Sequence, residues 1–231
     1  VYEKPARIIV SKKRTLEAAA AYAEKQVCIL NFASATNPGG GVTKGSSAQE
    51  EAICRCSTLY PNLKEPWVWN KFYGPNRRQQ DPLHKDDCIY TPGVLVFKSD
   101  TSYPKLLPEK NWYFVNVLTC AAPNLRKNPS NGMNSGDGNT AVNISRKDLQ
   151  VLHEKRMRRV LEIAAAKGNE VVILGAFGCG AFCNPPLTVA QAMRAAVQEY
   201  RMKFETIEFA IYCSPQDDEN YRVFQSVLGR L

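Results

Sequence analysis

The stretch Val27 to Glu51, VCILNFASATNPGGGVTKGSSAQEE, decides the fold. Its first part, Val27 to Ala33, is a short and nearly all-apolar run, the pattern of a strand covered on both faces. A turn with three consecutive glycines follows, Gly39, Gly40 and Gly41, and then a helical pattern from Ser47 to Leu59. Glycines directly after a buried strand let the backbone come close to a ligand and present its N–H groups unobstructed, which suits a phosphate or a ribose. Asn37 and Pro38 stiffen the approach to the turn. A helix beginning at Ser46 or Ser47 would aim its positive N-terminal end at the same place.

The same alternation continues outward. Thr15 to Lys25 reads as a helix, Val94 to Lys98 and Tyr113 to Leu118 as strands, and Ser145 to Ala166 as a long basic helix that Gly168 can close. Strands are expected at Val171 to Gly175 and Ile207 to Tyr212, with helices at Thr188 to Arg201 and Asp217 to Leu228. Strands separated by helices imply a single α/β domain, its parallel or mixed sheet flanked by helices on both faces. In such sheets ligands bind at the C-terminal ends of the strands, which directs attention to the segments after Phe32 and Leu174. Tyr60 to Asp87, rich in Pro, Trp and charge, reads as an irregular excursion, and Asn128 to Asn139 as a mobile loop.

With 231 residues, 44% of them hydrophobic and 23% charged, the chain has the composition of a globular protein with a full core. It contains no apolar run of the roughly 18 to 20 residues that a membrane span needs, so no membrane partner is expected. It opens on Val1 rather than Met, which leaves open that residues precede it. The net charge of +8 favours an anionic partner: a nucleic acid, a nucleotide or a polymer of diphosphates. The basic runs Lys12–Arg14, Arg77–Arg78 and Arg156–Arg159 read as solvated faces, because no aromatic residues are interleaved as in single-strand binders. The eight cysteines form no CxxC pair and read as reduced core thiols of a cytoplasmic protein. His84 reads as part of a surface turn and His153 as solvated; neither has the partner spacing of a metal site, so no metal and no cofactor are expected.

Two loops carry the chemistry. In the first, Ser47 and Glu50 have the spacing of a capping box, which accounts for one carboxylate in the first helical turn. Capping does not require the adjacent Glu51, so Glu51 is the candidate acid. The second loop, Gly175 to Pro186 (GAFGCGAFCNPP), also leaves an apolar strand and leads into a helix. It lacks the Lys-Ser/Thr of a P-loop and the spacing of the dinucleotide fingerprint. Its N–H groups could hold a diphosphate while Phe177 or Phe182 packs on a ribose or base, with core packing an equal alternative for each ring.

Gly39-Gly40-Gly41, seven intervening residues and Gln49-Glu50-Glu51 together resemble the signature of poly(ADP-ribose) glycohydrolases. The wider strings Ile29 to Val42 (ILNFASATNPGGGV) and Ala48 to Pro61 (AQEEAICRCSTLYP) resemble the bacterial or microbial type. Asn116 to Asn124 and Ile173 to Asn184 support it, at the places of that family's adenine-side wall and diphosphate loop; the resemblance spans about residues 14 to 225. It implies a macrodomain-like three-layer α/β/α sandwich with a central mixed sheet. It also implies hydrolysis of ribose–ribose O-glycosidic bonds of poly(ADP-ribose), with release of ADP-ribose. By resemblance Glu51 is catalytic as general acid/base, Glu50 holds the neighbouring ribose hydroxyls, and Gly39, Gly40, Gly41 and Val42 wrap the ribose beside the scissile bond with Gln49 nearby. Gly178, Cys179, Gly180, Ala181 and Phe182 would carry the diphosphate and fix the distal ribose, and Asn37 is the expected further ligand contact. Expected partners are poly(ADP-ribose), ADP-ribose and ADP-ribosylated proteins, bound by a monomer. A mono-ADP-ribosyl hydrolase acting on protein or on nucleic-acid-linked ADP-ribose, and a non-catalytic ADP-ribose-binding macrodomain, stay open as alternatives.

Overall fold

Strand β2 (Val27–Phe32) shows how the layers arise, because its successive side chains enter two different cores. Val27 and Ile29 join one buried cluster, Cys28 and Leu30 the other. The same alternation holds in β5 (Val171–Leu174), where Val171 and Ile173 go one way and Val172 and Leu174 the other. A strand apolar at every position can only be stable with cover on both faces. The computed structural model describes residues 1–214 and 216–231.

The sheet has the order β1-β6-β5-β2-β4-β3, with β1 (Arg7–Ser11), β6 (Thr206–Ala210), β4 (Tyr113–Cys120) and β3 (Ile89–Val96) completing it. All pairings are parallel except β3 with β4, so the sheet is mixed as expected. One face is covered by α6 (Arg146–Ala166), α7 (Pro186–Tyr200) and α8 (Glu219–Leu228), through residues such as Val160, Met193 and Phe224. The other is covered by α1 (Thr15–Ala20), α2 (Gln49–Cys56) and α3 (Leu59–Leu63), through Leu16, Ile53 and Leu59. The result is the three-layer α/β/α sandwich that the sequence implies. Among the described residues no helix is long and apolar enough to cross a membrane.

Two expectations need correction, and one strand went unread. Arg7–Ser11 forms an edge strand that its short, charge-flanked sequence did not announce. Of the excursion read at Tyr60 to Asp87, the part up to Gln79 is largely helical and only 81–87 irregular: after α3 come α4 (Pro66–Val68), a π-helical turn at Trp69–Tyr73 and α5 (Gly74–Gln79), ended by Gln80 at φ +51°. Val68, Phe72 and Tyr73 are buried there, and this apolar spacing outweighs the prolines, which sit at helix starts where they cost nothing. Finally, Ala48 is the N-cap of α2 and makes no side-chain cap, so the capping box at Ser47 does not form. The carboxylate of Glu50 is turned inward instead.

Candidate active site

The chain leaves β2 toward β4 and β3 on one side of the sheet, and leaves β5 toward β6 on the other. β2 and β5 are neighbours, so the loops after them diverge from a common seam, which is where open α/β sheets place their ligands. A cleft of about 810 Å³ opens there, within the range that accepts a dinucleotide-sized molecule. Both glycine loops line it.

The first loop folds back on itself: Gly40 N–H donates to the Asn37 carbonyl (2.9 Å) and Val42 N–H to the Gly39 carbonyl (3.1 Å). Gly40 adopts φ +59°, and a Cβ at that position would stand 2.5 Å from Glu51 Oε1 and 3.1 Å from Glu50 Oε2. Only glycine permits this approach of backbone to the two carboxyl groups. Gly41 N–H donates to Glu51 Oε1 at 2.8 Å, fixing that carboxylate against the cleft wall.

The three residues of the motif are used differently. Gln49 is spent within the protein: its Oε1 accepts from Phe32 N–H (2.8 Å), and its Nε2 donates to the Leu30 carbonyl (2.7 Å) and Thr15 Oγ1 (3.0 Å). It ties the start of α2 to the end of β2. Glu50 is buried and accepts from Ser34 N–H (2.7 Å) and Asn31 Nδ2 (3.3 Å). Burial pushes its pKa up to about 8, the hydrogen bond from Ser34 pulls it back, and the charge of Glu51 adds to the rise. Near neutral pH the Glu50 carboxyl therefore holds a proton beside Glu51.

Solved structures resemble the chain as a whole. Poly(ADP-ribose) glycohydrolase from Thermomonospora curvata is 33% identical, with a TM-score of 0.82 over 99% of this chain and 78% of that one. The chain belongs to the poly(ADP-ribose) glycohydrolase family. The Deinococcus radiodurans glycohydrolase in complex with ADP-ribose is likewise 33% identical, with a TM-score of 0.83 over 100% of this chain and 86% of that one. The T. curvata protein bound to the inhibitor ADP-HPD matches with 33% identity and a TM-score of 0.80, over 96% of this chain and 78% of that one. The family described as microbial-type PARG, catalytic domain, matches residues 2–99. No curated protein matches the chain.

In this glycohydrolase, Gly40, Gly41, Gln49, Glu50, Glu51, Gly178, Gly180, Ala181 and Phe182 all border the cleft. Asn37, Gly39, Val42 and Cys179 do not. Asn37 is occupied elsewhere: its Oδ1 accepts from Arg77 Nη2 (2.6 Å) and its Nδ2 donates to the Ser135 carbonyl (2.7 Å). Val42 and Cys179 pack against the two cores, and Phe177 is fully buried edge-on to Phe32, so that of the two anticipated rings Phe182 is the one beside the ligand space. The segment Asn116–Asn124 does not border the cleft either; it supports from behind, where Asn124 Nδ2 donates to Asp137 Oδ2 (2.7 Å). Arg14, Asp100, Arg126, Met133, Asn134 and Tyr212 border the cleft without having been anticipated. They come from five separate segments, and no local pattern marks them.

The loop at residues 128–139 is tied down rather than free. Asp137 is buried, accepts from Asn124 and Asn134 (2.8 Å), and lies 3.2 Å from His84 Nε2. Burial pushes its pKa up, but His84 and these hydrogen bonds outweigh it and hold the carboxyl below the usual carboxylate range. Asn134 Oδ1 in turn accepts from Ser34 Oγ (2.6 Å), next to the Ser34 N–H that serves Glu50. His84 is thus buried, not on a surface turn, with Nδ1 2.8 Å from the Ala122 carbonyl.

His153 and Arg156 are buried as well. His153 Nε2 lies 2.8 Å from Asn184 Oδ1, and burial lowers its pKa to about 4, so it is neutral. Asn184 spends its Nδ2 on the Pro123 (2.7 Å) and Gly178 (3.0 Å) carbonyls, so its oxygen accepts and His153 donates. This fixes the second glycine loop onto α6. Arg156 donates to the carbonyls of Ala121 (2.8 Å) and Leu83 (3.0 Å). A basic run read as a solvated face holds one arginine that clamps the strand ends.

Proposed function

We propose that the chain hydrolyses the ribose–ribose O-glycosidic bond of poly(ADP-ribose) and releases ADP-ribose, with Glu51 as the general acid and base. The observation that carries this is the Glu51 carboxyl, held by Gly41 N–H on the wall of the cleft where both glycine loops converge. The relatives in complex with ADP-ribose and with ADP-HPD support the same ligand class. Breaking a ribose–ribose bond needs a proton on the leaving oxygen and support for a positively charged anomeric carbon. Glu51 gives the proton to the leaving oxygen; its carboxylate then takes a proton from the water that adds to the anomeric carbon, and the carboxyl is restored. Glu50, by keeping its own proton, spares the site a second charge. The N–H groups of Gly178 to Phe182 would cradle the diphosphate, whose negative charge supports the carbon as a second carboxylate does in other glycosidases. A pure binding module gains nothing from a carboxylate beside a bound diphosphate, which favours catalysis over binding alone.

ADP-ribosylated proteins carry the polymer, a monomer suffices to form the cleft, and the free cysteines favour a reducing compartment such as the cytoplasm. The test is incubation with poly(ADP-ribose), protein-linked mono-ADP-ribose and DNA-linked mono-ADP-ribose in parallel, with product identification. Free ADP-ribose from the polymer is expected. An intact polymer, with release from a mono-linked substrate, would overturn the assignment.

A further inference from the structure

A second groove backs onto the catalytic loop. It is lined by Pro38, Tyr60, Lys64, Pro66, Trp69 and Asn70, and lies on the opposite side of the glycine turn from Glu51. Two adjacent residues mark the two sides of this thin wall. A Cβ on Gly39 would stand 2.6 Å from Tyr60 Cδ2, and one on Gly40 would stand 2.5 Å from Glu51 Oε1. The catalytic carboxyl and the Tyr60 ring are thus separated by a single thickness of backbone.

The groove has the chemistry of a base-stacking platform. Trp69 is 41% exposed, Lys64 Nζ lies 5.4 Å from the centre of the Tyr60 ring, and the Arg77 guanidinium lies 5.5 Å from the Trp69 ring. From Leu59 to Gln80 the chain carries Lys64, Lys71, Arg77 and Arg78 against one acid, Glu65. Aromatic rings with a surplus of cations bind bases joined by phosphates.

We propose that this groove holds the adenine of the leaving half of the substrate, the ADP-ribose unit on the other side of the scissile bond. The proposal rests on the polymer-cleaving reading above. In poly(ADP-ribose) the leaving oxygen is the 2′-hydroxyl of an adenosine ribose, so the adenine on that ribose is one sugar away from Glu51. The cleft rings Phe32, Phe182 and Tyr212 lie on the Glu51 side of the glycine wall, and Tyr60 and Trp69 are the aromatic surface on its other side, within reach of a base that close. The groove would then act in recognition of the leaving unit, strengthening capture of polymer over sugars linked to anything lacking a base.

The experiment compares two substrates of the intact enzyme: two ADP-ribose units joined as in the polymer, and ADP-ribose joined through the same bond to a ribose without its base. Wild type should favour the first by about tenfold in kcat/KM, the scale of one stacked base. Trp69→Ala should remove that preference by raising KM for the first substrate only, and Trp69→Phe should restore most of it. Equal kcat/KM for the two substrates in the wild type, or a Trp69→Ala variant that keeps the wild-type preference or loses equally on both, would overturn the groove's role while leaving the glycohydrolase reading intact. Cleavage of neither substrate by the wild type would remove the reading itself, and the groove's role with it.

Discussion

Gly40 and Glu51 are so close that the missing side chain of one makes room for the carboxylate of the other: a Cβ on Gly40 would stand 2.5 Å from Glu51 Oε1. Gly40→Ala should therefore displace the carboxyl groups and lower kcat by about tenfold or more, with a stability cost of about 1 kcal/mol from the left-handed backbone. Gly168→Ala is the control, since Gly168 has φ +71° but nothing within 4 Å of its missing Cβ and does not border the cleft. It should lose similar stability and keep its activity. Steady-state rates and urea midpoints on both variants check this; equal activity loss in the two would show that backbone strain alone is responsible.

The elevated pKa of Glu50 predicts a pH dependence of both activity and stability. The native state keeps this proton up to about pH 8, whereas an exposed glutamate releases it near 4.5. The stabilisation is thus full below about 4.5, and stability falls as pH rises from there through about 8. Glu50→Gln should flatten that decline, measured by urea unfolding between about pH 5 and 9. In the wild type kcat should fall above about pH 8 as Glu50 loses its proton and places a second charge in the site.

Asp137 holds the 128–139 loop through His84, Asn124 and Asn134. Removing it leaves buried donors unpartnered, so Asp137→Ala should cost about 3 kcal/mol or more in urea unfolding. It should also raise KM, because Met133 and Asn134 on that loop border the cleft. A KM unchanged in a destabilised variant would separate the loop from substrate binding.

Much of this architecture was legible because it is local. The apolar run of β2, the glycine turn and the paired glutamates lie within twenty-five consecutive residues, and period-two burial then dictates a sheet covered on both faces. What was hidden depends on distant partners. His84, His153 and Arg156 sit in polar segments and read as solvated, yet each is buried by carbonyls or amides from elsewhere in the chain. Asn37 has a residue type that suits a ligand, but Arg77 and Ser135, 40 and 98 positions away, claim its amide. The capping box failed for the same reason: Ser34 and Asn31 compete for the Glu50 carboxyl group and win.

The central claim is that the Glu51 carboxyl performs the chemistry without being needed for ligand binding. It is tested most directly by Glu51→Gln, which keeps the side-chain oxygen that Gly41 N–H contacts while removing the ionisable proton. Turnover of poly(ADP-ribose) and calorimetric binding of ADP-ribose are measured on the same preparation. The expected result is a kcat reduced about 10² to 10⁴-fold with an ADP-ribose Kd close to that of the wild type. Hydrolysis at the wild-type rate would contradict the assignment and place the reacting acid elsewhere.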